Sequence, residues 1–144
     1  MNSILLVDDE AAICVELQRT LQELGYQVEV AHTVESALGS IREARFDAIL
    51  VEFNLRSENA AHPRTEGGIQ LIRDLRKSGT TVPILVYTVM EGEIYETASL
   101  NAGADEFILK QTPVSDFFSR LREHVMIRGA TQDGDYYRIR GSSL

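Results

Sequence analysis

Apolar runs in this sequence end on residues able to do chemistry. Ile4 to Val7 stops at Asp8-Asp9-Glu10; Phe46 to Phe53 carries Glu52 near its end; Val82 to Thr88 closes on a hydroxyl; Glu106 to Leu109 is followed by Lys110. Asp8, Asp9 and Glu52 are carboxylates that repel one another if brought close, so a site built from them needs a cation or a proton. All-oxygen ligands of this kind suit magnesium, which keeps several waters and takes one or two carboxylates. A hydroxyl (Thr88) and an ammonium (Lys110) beside such an ion are what the oxygens of a phosphoryl group require.

These residues form a site only if the chain brings them together, and the periodicity of the sequence supplies the means. Between the apolar runs lie helical patterns: Ile13, Leu17, Leu21 and Leu24 before Gly25; Ala37, Leu38 and Ile41 after a capping Thr33; Ile69, Leu71, Ile72 and Leu75 before Gly79; Glu91 to Asn101; and Phe117, Leu121 and Val125 after Thr112-Pro113. With Tyr26 to Val30 as a further strand, five strand–helix units alternate. The fold expected is α/β, a doubly wound five-stranded parallel sheet of the flavodoxin-like kind, with helices on both faces. Such sheets bind ligands beyond the carboxyl ends of their strands, where strand order reverses, and there the residues above converge.

The same residues resemble a known family, the response-regulator receiver domains of bacterial two-component systems. Ile4 to Glu10 is similar to their opening strand, Phe46 to Leu55 to the strand bearing the phosphoacceptor, Pro83 to Thr88 to their fourth strand, and Ala102 to Lys110 to the segment ending in their lysine. The resemblance spans residues 3 to 127 and makes 1–127 a receiver domain, with 128–144 a C-terminal tail or the start of a linker. It implies magnesium bound by Asp9 directly, by Asp8 through a water, by Glu52 and by the backbone carbonyl of Asn54. Thr88 and Lys110 would handle the phosphoryl group, and Phe107 would be the switch aromatic.

The departures bear on activity. Glu52 stands where the family has aspartate, Arg56 replaces a proline, Val89 a small residue and Gln111 a proline, and the connection Arg56 to Glu66 is long and polar. In-line phosphoryl transfer loses ~100-fold for a misplacement of ~1 Å, about the reach of one methylene. The expectation is therefore a pseudo-receiver, not an enzyme, not phosphorylated in the usual way. Its Glu52 would approach Lys110 or Thr88, or share a cation or water with Asp9, and would supply a permanent, partial imitation of the phosphoryl charge. Output would pass through protein contacts, with a sensor kinase or downstream effector or as a homodimer, on the face of the fourth helix, fifth strand and fifth helix. Phe118, Arg120 and Arg122 are candidates there. A working phosphoreceiver is the alternative, and a small magnesium-dependent phosphohydrolase a remote one. An engineered phosphomimetic glutamate is a further option, which the neighbouring departures disfavour.

Other features bound the reading. With 144 residues, 44% apolar and 25% charged, the chain suits one soluble core. A net charge of −8 argues against nucleic-acid binding by this domain. No apolar run nears the ~20 residues of a membrane span, and the start shows no signal peptide, so the expected location is cytoplasmic. Cys14 is expected in the core, and His32, His62 and His124 receive no metal or relay role. Arg56 to Glu66 is expected to be the most mobile internal segment. Asp133-Gly134 could turn a hairpin, and Lys110–Gln111, lacking proline, is expected to be trans.

Overall fold

The structure, a computed structural model, describes residues 2–56 and 66–133, with side chains to residue 126. The elements are β1 (Ser3–Val7), α1 (Ala11–Glu23), β2 (Gln27–Ala31), α2 (Val34–Glu43), β3 (Ala48–Val51), α3 (Gly67–Lys77), β4 (Ile84–Thr88), α4 (Glu93–Ala102), β5 (Glu106–Leu109) and α5 (Val114–Asp133). One sheet of order β2-β1-β3-β4-β5 contains the strands, and every pairing is parallel. This is the doubly wound flavodoxin-like architecture expected from the alternation of periods.

β3 is buried at every residue, whereas the outer β2 and β5 keep exposed or half-buried positions. Central parallel strands are covered on both faces and so read as unbroken apolar runs. Successive side chains alternate between two cores. Leu5, Val7, Ile49, Val51, Ile84 and Val86 face the cluster holding Ile69, Ile72 and Leu75 of α3. Ile4, Leu6, Leu50, Leu85 and Ile108 face Cys14 and Leu21 of α1 and Phe117, Leu121 and Val125 of α5. Thr33 caps α2 through a reciprocal bond pair with Ser36.

Register positions the site. Val7 pairs with Val51, Val51 with Val86, and Thr88 with Leu109. The residues just past these pairs therefore share one edge, and the order reverses between β1 and β3, the crevice where such sheets bind ligands. The backbone after β3 is pinned by α3. A Cβ on Gly67 would lie 1.8 Å from the Leu55 carbonyl oxygen, and one on Gly68 would lie 2.1 Å from that of Glu52. Only glycine permits this approach.

The last helix differs from expectation at both ends, and several other elements shift by a residue or two. α5 begins after Pro113, whose carbonyl accepts from Asp116 and Phe117, and it runs to Asp133, beyond the end placed at 127. Gly129 lies inside it, because an interior helical glycine costs only about 1 kcal/mol relative to alanine. The mobility expected of Arg56 to Glu66 falls on 57–65, and the hairpin expected at Asp133-Gly134 on 134–144; both lie outside the described residues.

Candidate functional site

Asp8, Glu52 and Thr88 are 3%, 5% and 0% exposed, and Lys110 reaches in from the end of β5. Its Nζ donates to Asp8 Oδ2 at 2.7 Å and to Glu52 Oε1 at 2.8 Å. The other Glu52 oxygen, Oε2, accepts from the Thr88 hydroxyl and from the Asn54 amide at 3.3 Å. Asp8 Oδ1 accepts from the Glu10 amide at 3.0 Å. Thr88 Oγ1 in turn accepts from the Met90 amide at 3.2 Å, and the Asn54 side chain donates to the Met90 sulfur at 3.1 Å. Glu52 thus joins three strand ends through one carboxylate.

Burial alone pulls the Lys110 ammonium down, but hydrogen bonds to Asp8 and Glu52 and the charge of both outweigh it, so its pKa stands above the usual lysine value. Tyr87 lies beneath the ammonium, 6.0 Å from Nζ to the ring centroid, and stacks on Phe117 at 4.5 Å. The Lys110–Gln111 peptide is trans, as no described peptide bond is cis.

The acidic cluster includes a residue, Glu10, that the residue types do not single out. Carboxylate oxygens of Asp8, Glu10 and Glu52 lie within 4.8 Å of one another, while Asp9 stands outside the group. The physical reason is the turn at the end of β1. Asp8 accepts from the Glu10 amide two residues on, an Asx-type turn, and this swings Glu10 back to within 4.0 Å of Lys110. Glu10, Met90 and Tyr87 are the participants that residue types alone do not reveal.

A family model describing the response regulator receiver domain matches residues 4–122. The chain belongs to that family. Response regulator MprA of Mycobacterium avium is 35% identical over 119 residues, covering 83% of this chain and 49% of that protein. The chain thus spans about half the length of such relatives. A CheY-like receiver from Methanospirillum hungatei superimposes with a TM-score of 0.79 at 27% identity, covering 91% of this chain and 98% of the other. TrrA of Thermotoga maritima, solved with Mg2+–BeF, gives 0.72 at 26% identity, covering 86% of this chain and 99% of the other. The receiver family is a signalling module and not a typical enzyme.

Receivers hold magnesium at an acidic pocket, and this receiver has a carboxylate cluster at the corresponding edge. Its side chains, as arranged, do not fit the ion. Both oxygens of Asp8 and both of Glu52 already have donors, and Asp9, the ligand expected to bind directly, is not among the three carboxylates gathered within 4.8 Å.

The outer faces divide the remaining candidates. Phe107 is half-buried against the α3-side core and lines an open hollow of about 610 Å³ with Glu93, Glu96, Leu109, Thr112 and Arg120. Arg120 Nε donates to Glu106 at 2.8 Å, and His124 Nε2 lies 2.9 Å from the same carboxylate. Phe118, expected on that face, instead packs beside Phe117 and lines a different groove with Ile13, Leu17 and Thr20 of α1. Helical geometry turns adjacent residues ~100° apart, and here the turn carries Phe118 towards α1. No described helix is long and apolar enough to cross a membrane.

Proposed function

We propose that this receiver domain signals without phosphorylation, with Glu52 holding Thr88 and Lys110 in the arrangement that a phosphoryl group induces in the family. The observation that carries the reading is the Glu52 carboxylate itself, with one oxygen on the Lys110 ammonium and the other on the Thr88 hydroxyl. A phosphoryl group gathers a hydroxyl and an ammonium around its oxygens in the same manner. With two oxygens against three, and less charge, the imitation is partial. The carboxylate is also a poor nucleophile in place: each of its oxygens is engaged by a donor, and removing the lysine contact exposes a buried charge.

Output then passes through contacts with a protein partner, either a sensor kinase or a downstream effector, or with a second receiver. The α4–β5–α5 face suits this role. It carries the Phe107 hollow, and Ile94 on α4 is 74% exposed. Cytoplasmic residence accords with such partners.

The test is intact-mass analysis after incubation with acetyl phosphate and magnesium. Wild type gains no stable phosphoryl adduct. A one-phosphoryl mass gain lost in Glu52→Gln would overturn the proposal and make the domain a working phosphoreceiver. Glu52→Asp reports on the neighbours: acceptance there assigns the block to the extra methylene, and none assigns it to Val89 or the long connection.

A further inference from the structure

The structure assigns Lys110 a second role, as the resident cation of the acidic site, so that the domain holds its conformation without a divalent metal. The assignment follows from the hydrogen bonds that two carboxylates make, and it holds whether or not Glu52 accepts phosphate.

Magnesium demands near-ideal octahedral oxygens at about 2.0–2.1 Å and gives up its waters reluctantly. Every oxygen of the two buried carboxylates already accepts at least one hydrogen bond, so an ion there must displace a donor or share an oxygen with one. Asp8 Oδ2 and Glu52 Oε1 sit 2.7 Å and 2.8 Å from the ammonium. Asp8 Oδ1 is taken by the Glu10 amide, and Glu52 Oε2 by Thr88 and the Asn54 amide. Each lysine contact is a charge-assisted hydrogen bond, the strong kind. A metal that takes either oxygen directly must displace the ammonium or sit beside it on the same oxygen, cation against cation, and the Lys110 side chain is only 9% exposed. Tyr87, stacked on Phe117, stands beneath it.

Charge balance points the same way. Asp8 and Glu52, with side chains 4% and 6% exposed, share the one buried counter-charge among the described residues, whereas the Glu10 side chain is 57% exposed and lies 4.0 Å from the ammonium. Removing the lysine would leave three carboxylate oxygens within 4.8 Å of one another with no internal cation, which is the donor set of a divalent ion. The lysine thus excludes a metal from a site that has the ligands for one.

The experiment titrates the full chain with Mn2+, following the electron paramagnetic resonance signal of the free ion, and records the thermal midpoint with and without magnesium. Wild type leaves the Mn2+ signal undiminished up to about 1 mM, and about 10 mM magnesium leaves its midpoint in place, since only a ligand that binds the folded state shifts it. Lys110→Met gains a site, binding Mn2+ at least about tenfold more tightly than wild type, and Glu52→Gln in that background loses the gain. A Lys110→Met chain that folds only when magnesium is present supports the assignment equally. Wild-type binding tighter than about 1 mM overturns it, as does a folded Lys110→Met that binds no better than wild type. Should Lys110→Met fail to fold under every condition, the wild-type titration decides alone.

Discussion

Replacing Lys110 by methionine tests the site through stability. Methionine keeps the length and the apolar stem but removes the ammonium that Asp8 and Glu52 share. Surface ion pairs are worth ~0–1 kcal/mol because water screens them, but the Lys110 side chain is 9% exposed and its partners 4% and 6%. Deleting one member of a buried pair costs about 3–5 kcal/mol, since it strands an uncompensated charge. The remaining donors, the Glu10 and Asn54 amides and the Thr88 hydroxyl, soften the loss without cancelling it. The expected cost is therefore about 3–5 kcal/mol, a large share of the ~5–15 kcal/mol that a domain holds. Urea unfolding in a chelator reads it as a lower midpoint at unchanged slope. Adding Glu52→Gln to Lys110→Met removes one stranded charge and recovers part of the loss, a coupling of about 0.5–3 kcal/mol. A cost below about 1 kcal/mol, or additive single and double variants, would refute the claim that the ammonium compensates both carboxylates.

Other expectations follow from the same geometry. Gly68→Ala drives a methyl to 2.1 Å from the Glu52 carbonyl oxygen, and overpacking against a backbone costs about 3 kcal/mol or more. Gly39→Ala in α2 meets nothing within 4 Å and stabilises by about 0.5–1 kcal/mol; calorimetry of the two separates close approach from helix propensity. Thr88→Val leaves the Met90 amide and one Glu52 contact without partners and lowers stability by about 1–3 kcal/mol in chemical denaturation. Stability falls at alkaline pH. Lys110 is held above its ordinary value, so its contribution is complete below the unfolded lysine pKa and vanishes as pH rises through the folded one. Burial pushes the Cys14 thiol up to about 11 and raises Tyr26 and Tyr87, which act in the same direction. Unfolding midpoints measured from neutral pH to above ~10.4 should decline, and a rise would contradict the direction of all four shifts.

The strand ends were legible because parallel strands announce themselves as apolar runs, and whatever follows each run arrives at one edge. Asp8, Glu52, Thr88 and Lys110 meet for that reason. Which of the next acids joins them was not legible. That Glu10 joins them depends on a turn closed by the Asp8 side chain, a three-dimensional fact that no periodicity encodes. The face taken by Phe118 was hidden for a related reason. Helical phase tells which residues diverge from Phe117, but not which neighbour lies on the far side. The length of α5 was masked by Gly129, a residue type that marks helix ends more often than it marks their interiors.

The contact between Gly67 and Leu55 has a consequence for how this chain tolerates change. The backbones that leave β3 and enter α3 touch, and the Arg56 carbonyl is tied to the Val34 amide at 3.1 Å. The described residues that flank 57–65 are therefore held close together. Lengthening a connection whose ends are so held costs only about 0.6 kcal/mol for each doubling of its length. A recognition peptide or a reporter inserted between these anchored ends is expected to leave the register of the strands in place.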